Sequence, residues 1–139
     1  MSLLRKSLDL NGHRKVSLEE CYLFTRQLSV LHKSGVPLLS SLHALQTQLP
    51  AGTLKSTLRA VHRELQEGHT FSQALSHHPK VFTPVFLGLV RVGEAGGLLD
   101  EVLQQLAKLF EWEMELRHRI RDALQYPIIV LITLSIALL

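Results

Sequence analysis

LLDEVLQQLAKLFEWEMELRHRIRDALQYPIIVLITLSIALL, residues 98–139, decides the fold. Asp100 and Glu101 stand where the exposed N–H groups of a helix start favour negative charge. Val102, Leu106, Leu109, Leu116 and Ile120 follow as an apolar stripe at helical spacing. No helix breaker intervenes before Pro127. From Tyr126 to Leu139 there is no charge at all, whereas upstream every apolar run is interrupted. Fourteen residues of helix rise about 21 Å, short of a hydrocarbon core of about 30 Å. The expectation is one helix that leaves a soluble domain, kinks where proline removes an internal hydrogen bond, and is cut within its first transmembrane span. A buried C-terminal core helix is the alternative. Arg117, His118, Arg119 and Arg121 flank the apolar run and put residues before it on the cytoplasmic side. Only Leu3 and Leu4 precede the first charges, so the N-terminus does not read as a signal peptide.

Upstream, helix signals recur and strand alternation does not. Ser17 with Glu20 makes a capping box, opening a helix whose inner stripe is Cys21, Phe24, Leu28 and Leu31. Gly35 stops it, and Pro37 suits the first turn of a second helix carrying Leu38, Leu42, Leu45 and Leu49. After Pro50 to Gly52, a third helix carries Leu54, Leu58, Val61 and Leu65 and ends at Gly68. Thr70 with Gln73 is a second capping box, opening a short helix with Phe71, Ala74 and Leu75 that His77, His78 and Pro79 close. Thr83 and Pro84 start a fifth helix through Val85, Phe86, Leu89 and Val90 toward Gly93. Short connections between such segments predict an all-α, antiparallel six-helix bundle whose last helix leads into a membrane helix. The organisation expected is an N-terminal segment at 1–16, a helical domain at 17–125 and the start of a span at 126–139.

The 139 residues, 46% hydrophobic and 19% charged, suit one folded domain with an appendage. A single cysteine excludes an internal disulfide and a cysteine-based zinc cluster. The net charge of +3 is too small and dispersed to announce a nucleic-acid binder. Of the eight histidines, the pairs His77/His78, His62/His69 and His32/His43 all lack the i, i+4 spacing that sets two ligands on one helix face, so surface histidines are expected. Glu111 and Glu115 share a face beside Glu113, as a solvated face or a cation site in an oligomer. Gly93 to Gly97 lacks the lysine and preceding strand of a phosphate loop. No catalytic constellation stands out, and no cofactor is expected.

Two features remain as candidate partner surfaces. Lys55, Arg59, His62 and Arg63 form a basic face opposite the leucines of the third helix, either solvated or docked to an acidic partner. Val92 to Leu98 reads as an interhelical loop whose glycines allow close helix approach or positive φ. Glu94 within it is either exposed to a partner or accepts N–H bonds from the start of the next helix.

Phe24 to Leu39 (FTRQLSVLHKSGVPLL), Leu65 to Leu75 (LQEGHTFSQAL), Phe82, VGEAGGLLDEVL from Val92 to Leu103, and Tyr126 with Pro127 together resemble the F-domain of the type II secretion F protein and type IV pilus platform protein family. The resemblance covers about residues 17 to 139. Its motif positions here are Gly35, Pro37, Leu38, Gly68, Phe82, Gly93, Glu94, Gly96, Leu98, Tyr126 and Pro127. The family usually has a small polar residue between the glutamate and the second glycine, where this chain has Ala95, and Gly97 is additional. The resemblance implies a bacterial inner-membrane platform protein with two such cytoplasmic domains and three spans, of which this chain holds the first domain and the first span's start. It implies contact with a cytoplasmic assembly ATPase, with other inner-membrane assembly components and with pilin-like subunits, in a protein that is not itself an ATPase; a homo-oligomer is expected, and the small, dispersed charge predicts no nucleic-acid partner. Secretion, pilus and DNA-uptake systems share the component. A membrane-tethered helical adaptor or signalling protein unrelated to secretion is the competing expectation.

Overall fold

The computed structural model describes residues 15–139, and six helices account for the secondary structure of that stretch, with no strand among them. The expected N-terminal segment, apart from its last two residues, lies outside the described residues. The helices are α1 (Leu18–Lys33), α2 (Leu38–Gln48), α3 (Thr53–Gln66), α4 (Phe71–Ser76), α5 (Pro84–Gly96) and α6 (Leu99–Leu138).

Local chemistry places most boundaries. Both capping boxes form: Ser17 Oγ accepts from the Glu20 N–H while the Glu20 carboxylate accepts from the Ser17 N–H, and Thr70 and Gln73 repeat the arrangement. Thr83 caps α5 with Pro84 in its first turn. α1, α3 and α5 share one ending. A glycine at positive φ (Gly35, Gly68 or Gly97) lets the next N–H turn back to a carbonyl five residues earlier: Val36 to Leu31, His69 to Glu64 and Leu98 to Gly93.

All six helices and the α4–α5 connection feed one core. Phe24 and Leu28 of α1, Leu42 and Leu45 of α2, and Leu58 and Val61 of α3 are buried with Phe71 and Leu75 of α4, Phe86 and Val90 of α5, and Leu103 and Leu106 of α6. A chain of rings, Phe24 to Phe82 to Phe86 to Phe110, ties α1 to the α4–α5 connection, α5 and α6 with centroids 6.3, 5.1 and 6.1 Å apart. α1 runs antiparallel to the first half of α6: its C-terminal His32 bonds Asp100, while Glu19 near its start borders a cleft with Met114, His118 and Arg119.

Two expectations are corrected. Of the predicted α6 stripe, Val102 and Leu106 are buried, but Leu109, Leu116 and Ile120 are exposed, and Leu103 belongs to the core instead. The bundle covers only the first turns of α6, so the stripe outruns its partners. The segment from Val92 is not a loop either: α5 continues through Gly96, and the connection is Gly97 and Leu98 alone. α6 passes Pro127 as one helix of 40 residues, about 60 Å long. It contains an 18-residue window apolar enough to cross a membrane, none of it buried.

Candidate functional site: the glycine–glutamate end of α5

Gly93 and Glu94 lie in the last turns of α5 and face different neighbours. Gly93 is buried. A Cβ built on it would stand 2.9 Å from Val102 Cγ2 and 3.3 Å from the Leu99 Cα, so α6 crosses there at a distance only glycine permits. Gly96, the last residue of α5, is helical, and the left-handed position that reverses the chain is Gly97 with φ +67°. The residue that departs from the resemblance therefore makes the turn.

Glu94 points back to α4 rather than forward to α6. Its Oε1 accepts from the Ser72 N–H at 2.9 Å and its Oε2 from the Ser72 hydroxyl at 2.7 Å. Ser72 is buried at the second position of α4, where a backbone N–H has no partner within the helix. Glu94 thus supplies a second cap beside that of Thr70, with its charge near the open N–H groups. α6 starts without a side-chain cap, at Leu98, with Asp100 and Glu101 in its first turn. Glu94 does accept an N–H bond, but from the start of α4 and not, as expected, from the start of the next helix. Nothing local to Ser72 or Val102 marks either as Glu94's or Gly93's partner.

The basic face divides. Lys55 is half-buried, and its Nζ donates to the Leu49 carbonyl at 3.2 Å, closing the end of α2. Arg59 and Arg63 are exposed. The rings of His62 and His43 lie 5.4 Å apart. Several histidines are more engaged than a surface role requires. His77 Nδ1 is 2.7 Å from Glu64 Oε2, and His78 Nε2 is buried without a hydrogen-bond partner among the described residues. Burial pushes the His78 pKa below its ordinary 6.5, with Glu64 pulling the other way. Burial, then the charges of Glu20 and Glu113, push the Cys21 thiol up to about 11, which keeps it a protonated, poor nucleophile at neutral pH.

The other motif positions are structural in placement. Gly35 and Gly68 end helices, Pro37 and Leu38 open α2, Leu98 links α5 to α6, and Phe82 sits in the ring chain. Tyr126 and Pro127 lie on exposed α6.

These features define a class: a small α-helical domain, braced at a glycine–glutamate helix end, whose last helix continues into a candidate membrane span. Residues 24–139 match the family described as Type II secretion system (T2SS), protein F, and the chain belongs to that family. It is 34% identical over 131 residues to the type IV pilus assembly protein PilC of Myxococcus xanthus, covering 94% of this chain and 31% of that protein. It is 39% identical over 119 residues to PilC of Thermus thermophilus, covering 86% and 29%. Against the type II secretion system protein F of Vibrio cholerae it is 35% identical over 119 residues, again covering 86% and 29%. The chain thus spans about three tenths of the length of these relatives.

Proposed function

We propose that this chain is the cytoplasmic domain and membrane entry of an inner-membrane platform component of a type II secretion or type IV pilus machine, coupling a cytoplasmic assembly ATPase to the assembly of pilin-like subunits. The role is mechanical and non-catalytic, within a homo-oligomer that also meets other inner-membrane components. The observation that carries it is the family match over residues 24–139, laid on a domain whose last helix runs unbroken from the core into the apolar window. An event at the bundle is then transmitted along one continuous helix, which lacks a single internal hydrogen bond at Pro127. The arginines before Tyr126 support a cytoplasmic bundle.

Arg59 and Arg63 are the proposed ATPase contact, with Lys55 contributing charge from its place at the α2 end. An exposed cationic face steers an acidic partner and loses force with salt. Glu94 is proposed to position α4 against α5, and its part in assembly is tested separately. In a strain lacking the gene, the full-length protein restores secretion or piliation; Arg59→Glu with Arg63→Glu reduces ATPase binding at low salt while helicity and thermal stability stay near wild type. Normal ATPase binding by that variant removes the basic face from the proposal. Wild-type secretion or piliation with Glu94→Ala limits Glu94 to a structural role. Topology is read by replacing Cys21 with serine and labelling Arg121→Cys in membranes: reaction only from the periplasmic side reverses the orientation.

A further inference from the structure

α6 leaves the bundle before it reaches its apolar run. Every residue from Glu115 onward is exposed, and residues 115–125 make about 16 Å of helix before Tyr126. Two of the basic side chains there have acidic neighbours: Arg117 Nη2 is 3.4 Å from Glu113 Oε1, and His118 Nε2 is 4.0 Å from Asp122 Oδ2. Arg119 borders the cleft with Glu19 and Glu115 but forms an ion pair with neither, and Arg121 has no ion pair among the described residues. At about 100° per residue, these two guanidinium groups leave the helix about 160° apart. A protein docking on one face of the helix engages one of them. A plane of anions pierced by the helix engages both. The two residues lie about 10 and 8 Å along the axis from Tyr126, within about one Debye length of where the apolar run begins.

We propose that Arg119 and Arg121 form a collar that binds anionic phospholipid headgroups around the point where α6 enters the bilayer. The proposal rests on reading the apolar run as a membrane span, and the experiment separates the two. The full chain is mixed with limiting vesicles of phosphatidylcholine alone, or with about a third phosphatidylglycerol, and its partitioning is read by flotation. Each arginine near an anionic surface is worth roughly fivefold in partitioning, so the wild type gains on the anionic vesicles, and the paired variant Arg119→Gln, Arg121→Gln loses about 25-fold of that gain. The gain also disappears near 1 M salt, where the Debye length falls to about 3 Å. Circular dichroism confirms that the variant keeps its helices. Binding to phosphatidylcholine with no added gain from phosphatidylglycerol leaves the span standing and overturns the collar, as does a gain that the paired variant retains. Failure to bind either vesicle overturns the span reading and the collar with it.

Discussion

Both carboxylate oxygens of Glu94 end on one residue, Ser72, 22 positions earlier. The pair joins α5 to the start of α4 through a charge-assisted cap. Glu94→Ala is expected to lower the unfolding free energy by about 1–2 kcal/mol, since it takes the acceptor from the Ser72 N–H and leaves the Ser72 hydroxyl only its longer contact with Thr70 Oγ1 at 3.4 Å. Ser72→Ala should cost markedly less in that background than in the wild type. Denaturant unfolding of the four variants checks this, and strictly additive losses would show that the two groups are not coupled. His78 gives the pH signature. Its folded form resists protonation while the unfolded imidazole titrates near its ordinary 6.5, so the unfolded state binds more protons below that pH and stability falls on acidification. His78→Asn should flatten the decline between about pH 7.5 and 5.5; parallel slopes for the two proteins would contradict the assignment. Neither feature was legible in the sequence beyond its parts. The Ser17 box joins residues three apart, whereas the Glu94 cap and the burial of His78 Nε2 depend on which helices the fold brings together.

At the scale of elements, the contact of α5 with α6 is set by a missing side chain. Gly93→Ala places a methyl group 2.9 Å from Val102 Cγ2, and the strain exceeds the gain in helix propensity, for a net loss of about 1–2 kcal/mol. Val102→Ala should cost less when combined with Gly93→Ala than alone, because it clears part of the collision. Thermal unfolding of the single and paired variants measures this, and a Gly93→Ala protein as stable as wild type would show that the helices can part freely. Helix existence was readable because caps and terminal glycines are local signals. The end of α5 was misread because three glycines within Gly93 to Gly97 suggested a loop. Only Gly97 turns the chain there, while Gly93 stays helical to let α6 approach. The α6 stripe was misjudged for a related reason: periodicity reports a face, and only the fold reports how far along that face partners extend.

For the whole molecule, every fully buried apolar side chain among the described residues precedes Phe110. Residues 1–122 should therefore fold as a soluble helical domain, with cooperative thermal unfolding and helical circular dichroism. Predominantly coil spectra would mean that the apolar end of α6 is needed for folding. All-α architecture, the continuation of α6 into an apolar run and the family pattern were all open to reading from sequence, since composition and punctuation change sharply at Tyr126. Which residues of the bundle meet a partner was not, because exposed charge looks alike whether solvated or docked. The unbroken course of α6 also fixes an angular phase. Between Met114, where the bundle lets go, and Tyr126, where the apolar run begins, each inserted residue would swing the whole domain by about 100° around the axis and displace it by about 1.5 Å. Seven inserted residues would nearly restore its heading, about 10 Å farther out. The compass bearing of the domain relative to the candidate membrane span is thus written in the count of residues along that stretch rather than in their identities.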